Sequence, residues 1–333
     1  LQPSISIWTQ KASLPNLFAI YVNYKKRNTM SLIKFRVGEA APANTFLAIW
    51  MAEACGLYEA RGLNLEIVEM VGGSKTGPAL SSNEIQLMHI GMSSVVRANL
   101  SGFKVTTIGS LSNVIRSTFF AHPDIELGKQ LKGGKIGISS VGSESELSTI
   151  LAFRKLGLTR EDVTFEEIGN ERLSFLRKKQ VRATMLGEPL RSVAFEEGMN
   201  PIVDLLADRI PWLYSGLVVD KNFLVRNRVS VLNFMRATIE GNYMAVSQPK
   251  RAKNILATRL KINNTKNLDL TYENFKTFTP LNCELTKKGG QNIIKTINGS
   301  PTKHGLKNYM DDSIYRELKR EGFFLKMKQF IVS

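Results

Sequence analysis

Apolar positions in this chain fall into short runs separated by stretches with helical spacing, starting at Leu32. Residues 33–38 read as a strand. Between Thr45 and Ala54, Phe46, Leu47, Ile49 and Trp50 lie on one face, as in a helix packed on a sheet. Strands follow at 63–68, 85–90 and 104–109, with short helices at 76–80 and 93–100 and a turn at Gly72-Gly73-Ser74. This alternation predicts a mostly parallel sheet flanked by helices.

The order restarts near residue 135. Strands are expected at 135–138, 163–168, 181–186 and 201–206, and helices at 145–156, 171–178 and 189–197, the last opened by Pro189. Gly62-Leu63 corresponds to Gly157-Leu158, and Gly91 to Gly187, so the architecture repeats at domain scale. After Pro211 come one more strand, 213–219, and a long helix, 229–246, with Leu232, Met235, Ile239 and Tyr243 on one side. Residues 249–330 read as mostly helical, with polar loops at 263–269 and 298–304. The expected fold is therefore α/β and two-lobed, each lobe a mostly parallel sheet flanked by helices. Lobe 1 is expected over 32–113 and 220–330, and lobe 2 over 114–219. The cleft between two such lobes is a natural small-molecule site.

Residues 1–31 read as a disordered or extraneous extension. Lys25, Lys26 and Arg27 follow the apolar stretch Leu17 to Val22, the reverse of the order in a secretory signal. The composition is that of a globular protein: 43% hydrophobic, 22% charged, over 333 residues. Two cysteines, Cys55 and Cys283, allow one disulfide at most and no four-cysteine zinc site. No apolar run reaches the roughly 18 residues of a membrane span. The net charge is +16, with basic residues spread along the whole chain. That distribution reads as a solvated lysine-rich surface, and no nucleic-acid partner is expected.

Ligands of open α/β sheets lie beyond the carboxyl ends of the strands. The segments there are rich in small residues and hydroxyls. They include Asn44-Thr45, either of which can cap the next helix, and Gly72-Gly73-Ser74. The others are Ser93-Ser94, Gly142-Ser143-Glu144-Ser145 and Gly187-Glu188. Asn113 joins them as a candidate. Helix starts of this kind favour an anionic group, although capping alone explains any single loop. Trp212 and Tyr214, near the return crossing, are expected to stack on a flat ligand. Glu144 and Glu188 would instead receive amino or ring N–H donors. Catalytic signals are sparse. His89, His122 and His304 show no metal-binding spacing, and the chain has no nucleophile elbow or phosphate-binding loop. No cofactor, no metal and no catalytic residue are expected.

The segment Ala52-Glu53-Ala54-Cys55-Gly56-Leu57-Tyr58-Glu59-Ala60-Arg61-Gly62-Leu63, with Leu131-Lys132-Gly133-Gly134-Lys135-Ile136-Gly137 and Gly187-Glu188-Pro189, resembles the substrate-binding proteins of nitrate, sulfonate and taurine ABC importers. That family includes relatives that bind thiamine-pyrimidine precursors. The likeness covers roughly residues 33–245. It implies a monomeric, non-enzymatic Venus-flytrap receptor of the periplasm or another extracytoplasmic face. Such a receptor holds a small solute, anionic or heteroaromatic, such as a sulfonate or pyrimidine, and passes it to an ABC permease. Family members often carry an aspartate before the third strand of each lobe, where this chain has Gln86 and Arg182. The alternatives are a lyase- or decarboxylase-like enzyme on the same fold, drawing on Cys55, His89 or Arg97, and a ligand-sensing module.

Overall fold

The computed structural model describes residues 31–70, 73–298 and 305–332. The expected N-terminal extension, the loop after 298 and Gly72 lie outside the described residues or almost wholly so, and Ser74 is described only in its backbone. Among the described residues, ten strands form two five-stranded sheets. The first contains β1 (Ile33–Glu39), β2 (Leu63–Glu69), β3 (Leu87–Ile90), β4 (Val105–Val114) and β10 (Pro211–Asp220), in the order β2-β1-β3-β10-β4. The second contains β5 (Ser117–Ala121), β6 (Lys135–Ile138), β7 (Thr164–Glu167), β8 (Ala183–Gly187) and β9 (Asn200–Asp204), in the order β7-β6-β8-β5-β9.

The two sheets share one plan. Three strands run parallel in each, β2-β1-β3 and β7-β6-β8. One strand in each sheet runs the other way, β10 between β3 and β4 in the first and β5 between β8 and β9 in the second, so β4 and β9 have the same sense as the parallel three. The mostly parallel reading thus holds for four strands of each sheet, and the reversed one is the strand by which the chain enters that sheet from the other. The chain leaves the first sheet at Ile115-Arg116, between β4 and β5, and returns between β9 and β10. Strand β4 runs five residues past its expected end, up to the crossing that leads into β5. Ser110, Ser112, Ser117 and Thr118 look like loop residues, yet all are buried. A strand covered on both faces loses the alternation that marks a half-exposed one.

Helices α1 (Leu47–Ala54), α2 (Thr76–Ser81) and α3 (Met92–Leu100) flank the first sheet; α4 (Glu144–Leu156), α5 (Arg172–Arg177) and α6 (Leu190–Glu196) flank the second. The return passes through α7 (Lys221–Arg226) and α8 (Arg228–Ser247) into α9 (Pro249–Leu260), α10 (Thr265–Phe278), α11 (Lys287–Asn298), α12 (Ser313–Arg320) and α13 (Phe323–Val332). The expected loop at 263–269 is mostly the first turn of α10. The Asn264 side chain accepts from the Asn267 N–H at 3.1 Å, so the polar run is a helix cap. The largest core joins α1, α8 and the first sheet. In it Phe234 stacks on Phe35 at 5.1 Å and on Tyr58 at 5.2 Å. Gly241 of α8 lies against the backbone of Ala48 in α1, an approach that a side chain would block. No described helix is long and apolar enough to cross a membrane.

Candidate functional site

The loop after β3 meets the loop after β6. Glu144, the first residue of α4, reaches across from the second sheet's layer. Its Oε1 accepts from the Ser93 backbone N–H of α3 at 2.9 Å, and its Oε2 from the Trp212 indole of β10 at 2.6 Å. The first-turn N–H groups of a helix have no partner within it, and the local dipole favours an acceptor of negative charge. A carboxylate of the chain itself fills that role at α3. The residue is half-buried, and loss of water around its carboxyl group pushes the pKa up to about 7 against the opposing pull of the Ser93 and Trp212 hydrogen bonds.

Gly91 makes this approach possible, because a Cβ there would overlap the Glu144 side chain. Gly91→Ala is therefore expected to push α4 away from α3 and to cost about 1–3 kcal/mol, as overpacking does. Thermal unfolding measures the loss, and a red shift of Trp212 emission reports the broken indole bond. A second link lies one turn on. Arg97 of α3 meets Glu146 of α4 at 3.4 Å, and Glu146 also accepts from the Gly142 N–H at 2.6 Å and from Arg160 at 3.2 Å.

Most of the other expected residues are engaged within the fold. Ser143 caps α4, and its hydroxyl lies 2.8 Å from that of Ser145, which accepts from the Ser139 N–H at 2.8 Å. This cluster holds the loop's shape. Glu188 is occupied by its own helix: its Oε2 accepts from the Ser192 N–H at 3.2 Å and hydroxyl at 2.7 Å, and its Oε1 from Arg191 at 3.4 Å. Asn44 sits inside a 3₁₀ turn that no side chain caps, so neither it nor Thr45 acts as the cap. Its amide donates to Thr271 O at 2.9 Å and Asn274 Oδ1 at 3.0 Å, which joins the turn to α10. Thr45 and Ser94 are buried, and Gly73 packs against the Ser94 hydroxyl. Asn113 donates to Glu284 O at 2.8 Å, while its buried Oδ1 has no partner.

The Trp212 ring is 1% exposed and its indole is taken by Glu144, so it is a wall of the seam between the lobes. Tyr214 is only partly buried. Burial raises its phenol pKa, and its neighbours are Ser117, Arg172, Glu144 and Arg116. Those two arginines escaped the sequence reading, and they are the least ordinary groups here. Arg116 is 2% exposed, and among the described residues it forms no ion pair. Burial lowers its pKa to about 9, so it stays cationic at neutral pH. A buried charge without a counter-charge costs several kcal/mol. The signal was its place in Ile115-Arg116-Ser117-Thr118-Phe119-Phe120, a cation at the head of an apolar strand.

The remaining candidates lie in ordinary packing. His89 is buried and neutral, its pKa lowered to about 3 by burial and by Arg116, with Nε2 2.5 Å from the Ser215 hydroxyl. Cys283 is buried and Cys55 partly buried, both in the first lobe's core. Gln86 and Arg182, in place of the family aspartates, precede β3 and β8 at the ends away from the seam. Gln86 accepts from the Arg36 N–H at 2.6 Å, and Arg182 donates to Gln130 O at 2.7 Å, so both fasten neighbouring strands and turns. No group of described residues is arranged to hold a metal ion.

The aliphatic sulphonate-binding protein SsuA of Escherichia coli has a similar fold, with a TM-score of 0.64 at 16% identity over 83% of this chain and 91% of that one. The desulfurization enzyme DszB shares it as well, at 0.58 and 16% over 86% and 99%. The riboflavin-binding protein RibY of Chloroflexus aurantiacus is 25% identical over 223 residues, and the match spans 63% of this chain and 62% of the relative's length. Binding proteins and an enzyme are thus both built on this architecture. Residues 43–252 match the model of the NMT1/THI5-like family, and over that majority of its length the chain belongs to it.

Proposed function

We propose that this chain is the solute-binding component of an ABC-type importer. It captures a small organic molecule between its two lobes, outside the cytoplasm, and delivers it unchanged to a membrane permease, acting as a monomer. The lobes comprise 32–113 with 211–330, and 114–210; the expected boundary at 219 moves back because β10 pairs with β3 and β4 of the first sheet. The observation that carries this reading is the seam at Glu144. There the loops beyond the parallel strands of both sheets meet, with Glu144 of the second lobe accepting from Ser93 and Trp212 of the first. Closure around a solute needs contacts that only the closed form makes, and groups drawn from both lobes provide them. The likeness to SsuA and RibY supports an anionic or heteroaromatic solute, such as a sulfonate or a pyrimidine.

The test is a thermal-shift screen with nitrate, bicarbonate, alkyl and amino sulfonates, aromatic carboxylates, pyrimidines and riboflavin. A solute at 100 times its dissociation constant stabilises by about 2.7 kcal/mol. A shift with one chemical class, with the compound recovered intact, is the expected result. A compound recovered altered would replace the receptor with an enzyme of the DszB kind.

A further inference from the structure

We propose that the end of lobe 1 away from the seam docks on a membrane surface bearing anionic phospholipids, and that a basic cavity between α8 and α12 takes their headgroup phosphates. Strand β10 starts in the seam, beside Trp212, and hands the chain to α7 at Asp220. At about 3.3 Å per residue, that end lies roughly 25 Å from the Trp212–Glu144 bond. The assignment therefore does not depend on which solute the seam takes. An open cavity of about 550 Å³ there is lined by Arg228, Ser313, Arg316, Lys319 and Arg320. The carboxylates beside it are already engaged. Glu317 accepts from Arg228 Nη2 at 2.5 Å, Asp312 from Arg316 Nε at 3.0 Å, and Glu321 from Arg236 Nη2 at 2.7 Å. Lys319 and Arg320 are exposed and have no carboxylate partner among the described residues.

Apolar side chains beside the cavity decide the class of partner. Val225 and Val229 are the two most exposed large apolar side chains among the described residues, at 77% and 71%. They bracket Arg226 and Arg228 at the junction of α7 and α8. Arg228 also holds Ser313 and Glu317 of α12, so the valines and the basic wall belong to one surface. Ile33, more than half exposed, opens β1 at the same end, because β10 runs antiparallel to β3 and β3 parallel to β1. At a bilayer the valines are buried at the boundary between headgroups and acyl chains, while the cations face phosphates. A soluble phosphate ester would use the cations and leave the valines in water. A nucleic-acid strand needs stacking surfaces, and no aromatic side chain lines the cavity. Near an anionic leaflet each Lys or Arg is worth about fivefold in affinity. Docked by this end, lobe 1 is held while the seam stays clear of the lipid and free to open.

The test is sedimentation of the full chain with vesicles of phosphatidylcholine alone and of phosphatidylcholine mixed equally with phosphatidylglycerol. The parent should bind the mixed vesicles, bind phosphatidylcholine alone far more weakly, and lose affinity as salt rises. Lys319→Ala with Arg320→Ala should weaken binding to the mixed vesicles about thirtyfold, from two charges at about fivefold each. Val225→Ser with Val229→Ser changes no charge and should still weaken it about tenfold. Lys129→Ala with Lys178→Ala removes two exposed charges from lobe 2 and should leave binding nearly unchanged. All six side chains are exposed, so each variant should melt with the parent. Equal losses from the two charge-removing pairs would mean adhesion by net charge alone and would overturn the site. Absence of binding to the mixed vesicles would overturn it as well. If the valine pair has no effect, and calorimetry shows glycerol 3-phosphate or polyglutamate binding at Lys319 and Arg320, the ligand is a soluble phosphate ester or an acidic protein and the membrane is excluded.

Discussion

Relative to the parent, Glu144→Gln should gain stability steadily from pH 4 to pH 8, starting at pH 4 from a deficit of about 1–3 kcal/mol because its amide nitrogen cannot accept from the Ser93 or Trp212 N–H. The Glu144 carboxyl titrates near 4.5 in an unfolded chain and near 7 in the folded one, because burial outweighs its two hydrogen bonds. Between those values the folded chain holds a proton that the unfolded chain has released. Stability from this group is therefore complete below about 4.5 and is lost as pH rises through about 7. The shift corresponds to about 3 kcal/mol. Glutamine is neutral throughout, so the variant keeps what the parent loses. Glu39, also raised to about 7 by burial, and His89, lowered to about 3, titrate in both proteins and cancel in the difference. Differential scanning calorimetry from pH 4 to 8 measures the gap. A gap that does not widen with pH would mean that the Glu144 carboxylate is hydrated and the seam open. The same linkage makes closure of the lobes easier in mild acid, since closing buries this carboxyl.

Phe234→Ala should produce the largest loss of stability, about 3–5 kcal/mol, the cost of emptying a buried phenylalanine site. Phe234 is fully buried, with Phe35 of β1 on one side and Tyr58 on the other. It joins the return helix α8 to the first sheet, so the cavity would open where the C-terminal half of the chain rejoins the N-terminal lobe. Tyr58 cannot follow to fill the space, because its hydroxyl is tied to Thr238 Oγ1 at 2.8 Å. Chemical denaturation read by circular dichroism gives the value. A loss under about 1 kcal/mol would show that the three rings repack, and that α8 is held mainly by its contacts with α1.

The alternation of short apolar runs and helical stretches was enough to read two similar α/β lobes and the strand-end loops between them. Periodicity is a property of each element's own burial, and it survives without knowledge of the partners. It failed at the end of β4 and the start of α10, where buried serines and a capping asparagine look like loop residues when read alone. The candidate site was legible only in part. Glu144 and Ser93 were marked by their place at helix starts. Trp212 was marked too, but as a stacking surface, whereas its indole is taken by Glu144. Asn44 was marked as a ligand contact and instead fastens α10. Arg116 was marked only by standing at the head of an apolar strand and Arg172 by nothing, and a basic residue in a chain of net charge +16 looks like solvated surface. The sequence by itself determined the lobes, their order and the helix starts, since these follow from nearest-neighbour patterning. Only the tertiary structure decided which charges lost both their water and their counter-ions, because Arg116 is enclosed partly by Thr279, 163 positions further along the chain.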